Sequence, residues 1–227
     1  MFGHVPEALV ATHGDYPELF GALLAPHGVE LEVFAVDEGE GPASLDDCDG
    51  WIGSPSRSSV IGDEPWLPDA LDLVGSVVEA ERPYVGICFG HQLLAQAAGG
   101  RVARAPAGWG VGAHRYEVVA PRPWMDPPPD GGAFTLVASH EDQVVELPPG
   151  ATLLAGNDHC PNAMFELGSR AFGLQPHPEF TAAISNELVG ARRDLIGLER
   201  ADAALASLAG PLDRDLVFSW ITCFFRS

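Results

Sequence analysis

The chain has 227 residues, 46% hydrophobic and 19% charged, a balance that suits a globular fold and excludes a disordered one. Its 32 acidic and 12 basic residues leave a net charge of −20, a field that repels nucleic acid and anionic membranes. All twelve basic residues are arginines, so a P-loop lysine and any Schiff-base chemistry, including that of pyridoxal phosphate, are excluded.

The N-terminal half alternates short apolar runs with helix-like segments. EALVAT (7–12) reads as a strand, and DYPELFGALLAPHG (15–28) as a helix closed by Gly28. VELEVFAV (29–36) alternates like a second strand, and an acidic, glycine-rich loop (37–50) leads to a third, GWIGS. Residues 64–80 carry Leu67, Ala70, Leu71, Val74, Val77 and Val78 at helical spacing. RPYVGIC (82–88) reads as a buried strand and HQLLAQAAGG (91–100) as a helix ending on glycines. This βαβαβ order predicts an α/β fold: an open, mostly parallel twisted sheet of flavodoxin-like type, with helices on both faces.

After residue 100 the pieces shorten. GVGAHRYEVV, AFTLVAS, ATLLAG, NAMFEL and RAFGLQ read as strands of an antiparallel extension, and PRPWMDPPPDGG (121–132) as a surface loop. The C-terminus returns to helix, with Asp213 as N-cap of DRDLVFSWITCFF. With no repeat and no long linker, residues 1–227 are expected to form a single domain. No apolar run approaches the ~20 residues of a membrane helix, and MFGHVPEALV lacks the basic start of a signal peptide, so a cytoplasmic protein is expected.

The four cysteines, Cys48, Cys88, Cys160 and Cys223, make no CxxC pair and no Cys/His cluster of zinc-ligand spacing, so neither a metal nor a cofactor is expected. Cys88 stands apart because Gly86-Ile87-Cys88-Phe89-Gly90 has the form G-x-C-x-G between a strand and a helix. The related G-x-S-x-G puts a nucleophile on a tight turn above the carboxyl end of a parallel sheet. A helix N-terminus at that point stabilises a thiolate. The plainer alternative is a buried cysteine between glycines that ease strand–helix packing.

A thiolate nucleophile needs a base, and the base needs an orienting group. Among eight histidines, His177 follows an apolar run in LQPHPEF, where Pro178 keeps it extended. Positions i and i+2 of an extended segment point the same way, which sets Glu179 beside the imidazole. His140, His159 and Cys160 read as structural groups, and Glu141 and Asp142 as solvated acids on a turn.

GICFGHQ, SHEDQVVELPPGATLLA (139–155) and GLQPHPEF (173–180) occur in an order that resembles class I glutamine amidotransferases, and WIGSPSRSSV (51–60) resembles that family's oxyanion loop. The likeness runs from about residue 50 to 180 and is similar to the amidotransferase domain of GMP synthetase, as is the Gly-Trp segment in AGWGVG (107–112). It implies that Cys88 attacks the γ-carboxamide of glutamine through a γ-glutamyl thioester, with His177 as base and then acid and Glu179 orienting it. It further implies an oxyanion hole from the amides of Gly53 and Phe89, and a hold on the substrate's amino-acid end by Gln92, Ser139 and His140. Ser54 stands where the family usually has a second glycine, which makes a peptide flip there harder.

The ammonia would pass to a separate synthetase chain, since no ATP-using domain follows in this sequence. Two alternatives stay open. One is a stand-alone γ-glutamyl peptidase; the other is an inactive binding or regulatory subunit, against which intact Cys88, His177 and Glu179 argue. An α/β-hydrolase fits less well, because its acid normally precedes the histidine.

Overall fold

The computed structural model covers residues 1–227. Along the chain come α1 (Glu7–His13), α2 (Tyr16–Leu24), β1 (Trp51–Gly53), α3 (Leu67–Glu79), β2 (Tyr84–Ile87) and α4 (Phe89–Ala97). The second half contributes β3 (Arg101–Arg104), β4 (Gly110–Val118), β5 (Ala133–His140), β6 (Asp142–Glu146), β7 (Ala151–Gly156), β8 (Met164–Leu167) and β9 (Ala171–Leu174). It closes with α5 (Ala182–Ala191), α6 (Arg193–Ile196), α7 (Leu198–Ser207) and α8 (Arg214–Phe225). No helix is long and apolar enough to cross a membrane.

The main sheet has seven strands in the order β1-β2-β9-β8-β7-β4-β5. Strands β1, β2 and β9 are mutually parallel, and every pairing from β9 outward to β5 is antiparallel. β3 and β6 form a separate antiparallel pair. The α/β architecture expected from the sequence is thus the one adopted, with an antiparallel extension longer than its parallel part. RAFGLQ is the piece whose pairing differs: β9 joins β2 in parallel and only its other edge is antiparallel.

Two misread N-terminal strands account for that balance. Residues 7–12 are helical: Leu9 and Val10 pack on the core from positions three and four beyond Pro6, which sits at the N-cap. Residues 29–35 belong to no strand. Met1 alone bridges the end of this stretch, its ammonium donating to the Phe34 carbonyl and its own carbonyl accepting from the Val36 amide. The rest borders a groove of about 850 Å³ that separates it from β1 and exposes Leu31 and Val33.

Helices cover both faces because β2 and β9 are buried on both. Val85, Ile87, Phe172 and Leu174 join a core with α2 and α8, whereas Tyr84 and Ala171 join one with α3 and α4. α2 begins on a capping box in which Asp15 accepts from Tyr16 and Glu18 reaches back to the Asp15 amide. Gly28 ends the following turn in the left-handed conformation that a side chain would strain. Asp213 precedes α8 as expected but does not cap it: its carboxylate accepts from the Thr135 amide of β5 at 2.7 Å.

The sheet curls strongly. His177, beyond β9, donates its amide to Val137 of the far-edge strand β5 at 2.8 Å. Curling brings the end of β5 over the carboxyl ends of β2 and β9, which is where the site forms.

Candidate active site

Register joins Cys88 to His177 where sequence distance hides the link. Ile87 of β2 pairs with Leu174 of β9, and the Cys88 amide donates to the Leu174 carbonyl at 2.8 Å. Cys88 is therefore the first residue past one parallel strand, while Gln175 and His177 are the first and third past its neighbour. This is the edge at which open α/β sheets bind ligands.

Cys88 sits at φ 51°, ψ −97°, a left-handed conformation that costs a non-glycine residue roughly 1–3 kcal/mol. The same carbonyl region starts the helix, with the Gln92 amide donating to the Cys88 carbonyl. The flanking glycines permit the turn through closeness. A Cβ on Gly86 would lie 2.3 Å from the Gly90 carbonyl oxygen, and one on Gly90 would lie 2.2 Å from that of Gly53. Tyr84 locks the packing by donating its hydroxyl to the Gly90 carbonyl.

His177 Nδ1 and Glu179 Oε1 are 2.6 Å apart, both groups being fully buried. Phe180 stacks on the imidazole with centroids 4.3 Å apart and planes 2° apart, fixing its plane. Burial alone would push His177 down; the charges of Glu179 and Cys88 outweigh it and carry it up to about 10. The net upward shift favours the protonated imidazole, and His177 and Cys88 line the same cleft. Two groups that the sequence motifs did not single out support the arrangement. Gln175 aims its amide at the Cys88 sulfur at 3.5 Å, and Arg214 donates to the backbone carbonyls of Pro178 and Glu179. The first was legible, since Gln175, His177 and Glu179 share the i, i+2, i+4 spacing.

Cys88 and His177 line one cleft of about 390 Å³, together with Phe89, Gln92, Ser139 and His140. Gln92 gives its amide hydrogens to the Asp142 carbonyl and to Gln175. Ser139 accepts from Arg192 at 3.4 Å. His140 is buried and pushed down to about 3 by that burial and then by neighbouring His159, so it is neutral. Gly53 lies apart from this lining. It ends β1 packed against Gly90, and Ser56, Arg57, Ser58 and Ser59 of the following loop face the cleft instead. Ser54 is buried, accepts from the Phe2 amide and has no positive φ, so the loop is pinned in an ordinary conformation.

Asp142 is no solvated turn residue. Its side chain is 14% exposed and takes the Ser59 hydroxyl on one oxygen, while the other oxygen is buried, accepts no hydrogen bond and lies 4.0 Å from Arg104 Nε. Cys160 is fully buried and its thiol is raised to about 12 by burial and then by the charge of Cys88, which fits packing rather than reactivity.

A cysteine on a strained strand–helix turn, a histidine in the same cleft and a carboxylate hydrogen-bonded to that histidine can perform acyl transfer. Residues 21–189 match the family model of class-I glutamine amidotransferases. The chain belongs to the class I glutamine amidotransferase family. Among curated members, gamma-glutamyl peptidase 5 of Arabidopsis thaliana is 32% identical over 209 residues, 87% of this chain and 81% of that one. The glutamine-hydrolysing GMP synthase subunit of Methanoculleus marisnigri is 28% identical over 82% of this chain and 94% of its own length. Among solved structures, a glutamine amidotransferase from Thermotoga maritima superposes with a TM-score of 0.76 at 21% identity, covering 92% of each chain. One from Methylobacillus flagellatus gives 0.75 at 27% identity, over 92% of this chain and 88% of that one.

Proposed function

We propose that this family member hydrolyses γ-glutamyl amides, glutamine or γ-glutamyl compounds, through a thioester on Cys88. The observation that carries the reading is the buried His177–Glu179 pair at 2.6 Å beside the sulfur of a strained elbow. Cys88 attacks the γ-carbonyl, and the developing oxyanion takes hydrogen bonds from the Phe89 amide, one of the first-turn donors of α4, and from the loop after β1, where Gly53 was expected. His177 then protonates the leaving nitrogen as the C–N bond breaks, giving ammonia or an amine. Water, deprotonated by His177, attacks the thioester and releases glutamate. Gln92, Ser139 and His140 border the amino-acid end, and the carboxylate of Asp142, in the same cleft, supplies the charge that its ammonium group needs.

Glutamine as substrate has support from the GMP synthase relative, which makes a separate ammonia-accepting synthetase the partner. The gamma-glutamyl peptidase relatives support γ-glutamyl compounds, on which the chain acts alone. Both pass through the same acyl enzyme. Hydroxylamine added during turnover should divert it to γ-glutamyl hydroxamate at the expense of glutamate. Steady glutamate release with no hydroxamate at any hydroxylamine concentration would rule out the thioester.

A further inference from the structure

Two buried glutamines meet beside the sulfur, and one arrangement of their amides satisfies both. Gln92 stands one turn along α4 from Cys88, its backbone amide bonded to the Cys88 carbonyl. Gln175 is the first residue past β9 and is fully buried. A primary amide is nearly symmetric in shape, so packing does not decide which end donates. Its hydrogen-bond partners do.

The order starts at the backbone carbonyl of Asp142 in β6, a group that can only accept. It lies 2.8 Å from Gln92 Nε2 and 3.2 Å from His140 Nδ1, so each turns an N–H toward it. Gln92 Nε2 also lies 3.1 Å from the Gln175 amide, which must therefore present its oxygen. With Oε1 committed, Gln175 has its NH2 left, and that nitrogen lies 3.5 Å from the Cys88 sulfur. A main-chain carbonyl thus dictates, through two side chains, that the sulfur meets a donor and not an acceptor. Reversing Gln175 would set two NH2 groups against each other and an oxygen against the sulfur, with no solvent at Gln175 to relieve either. Sulfur attacks as an anion and departs as one when water opens the thioester, so an N–H aimed at it lowers the cost of both steps.

We propose that Gln175 is a catalytic residue that donates to the Cys88 sulfur, and that Gln92, anchored on the Asp142 carbonyl, is the positioning residue that holds Gln175 in that sense. The inference rests on the hydrolase reading above and deepens it. It is tested on the full chain with Gln175→Met and Gln92→Met, which keep the length of the side chain and remove its amide, melting curves establishing that each variant folds. The probe is iodoacetamide, which has no amino-acid end for the cleft to recognise, and labelling of Cys88 is followed by mass spectrometry without substrate. Values of kcat and KM are measured on glutamine and γ-glutamylglycine. Gln175→Met should slow alkylation of Cys88 by about tenfold, the scale of one hydrogen bond to a charged group. It should lower kcat by a similar factor and leave KM within about twofold. Gln92→Met should move alkylation and kcat in the same direction by a smaller factor, since Gln175 is then free to turn either way. An unchanged alkylation rate in Gln175→Met would overturn the donor role. A raised KM in Gln92→Met, with kcat and alkylation unchanged, would assign Gln92 to substrate binding alone and overturn the relay. Should Gln175→Met fail to fold, Gln92→Met decides, and alkylation at the wild-type rate there would count against the proposal. Wild-type protein inert toward both substrates would overturn the hydrolase reading, while the alkylation rates would still judge the relay.

Discussion

Cys88→Ala lowers γ-glutamyl amide hydrolysis by at least about a thousandfold, the scale on which loss of a triad nucleophile acts, while the protein still folds. Alanine keeps the Cβ and therefore keeps the strain at φ 51° neither better nor worse than cysteine. What is lost is the sulfur that Gln175 and His177 address. The partners remain, and His177 stays bonded to Glu179 and stacked on Phe180. Rates for glutamine and γ-glutamylglycine, set beside circular dichroism and melting curves, check both halves. Residual turnover within tenfold of wild type would remove Cys88 from the chemistry. A folded protein with no turnover is the expected pair of results.

The second large effect falls on stability. Gly90→Ala places a methyl 2.2 Å from the Gly53 carbonyl oxygen and 2.6 Å from its carbon, atoms held by the pairing of β1 with β2. Neither side can yield alone, because Gly90 lies in the first turn of α4 and Gly53 pairs with Gly86. Overpacking against fixed backbone costs roughly 3 kcal/mol or more, read as a lower denaturant midpoint. The matched control is Gly75→Ala in α3, where a Cβ meets nothing within 4 Å. There the same change gains about 0.5–1 kcal/mol of helix propensity. Equal midpoints for the two variants would mean that the turn is not packed as described.

Gly86 and Gly90 show how much of the site was legible. G-x-C-x-G announces a tight strand–helix turn, and its physical reason turns out to be backbone contact between β1, β2 and α4. LQPHPEF announces an extended segment whose alternate residues share a side, and Gln175 could have been read from it with Glu179. The meeting of residues 88 and 177 was not legible from spacing; it follows from parallel pairing of β2 with β9, a contact between distant strands that only the fold creates. Arg214 could not be seen either, since its two bonds to the backbone of 178–179 depend on where α8 docks. Asp142 reads as a turn acid because turn acids are usually solvated, but β6 carries it inward against Ser59.

The N-terminal errors have a different origin. ALV at 8–10 is too short a run to tell strand from helix, and Pro6 at the N-cap decides for helix. VELEVFAV does alternate, yet a strand also needs a partner strand, and this stretch instead bonds at its end to Met1. Alternation reports a conformation; pairing is a property of the whole sheet. Ser54, by contrast, is tied to a distant segment that its sequence neighbours do not announce, its hydroxyl accepting from the Phe2 amide.

The most direct measurement is to treat the protein with a glutamine-derived chloroketone and map the modified thiol by mass spectrometry. Cys88 should be alkylated first and in proportion to lost activity, ahead of half-buried Cys48 and Cys223 and of Cys160, whose thiol burial holds at about 12. Labelling of Cys160, Cys48 or Cys223 ahead of Cys88, or full labelling of Cys88 with activity intact, would contradict the account.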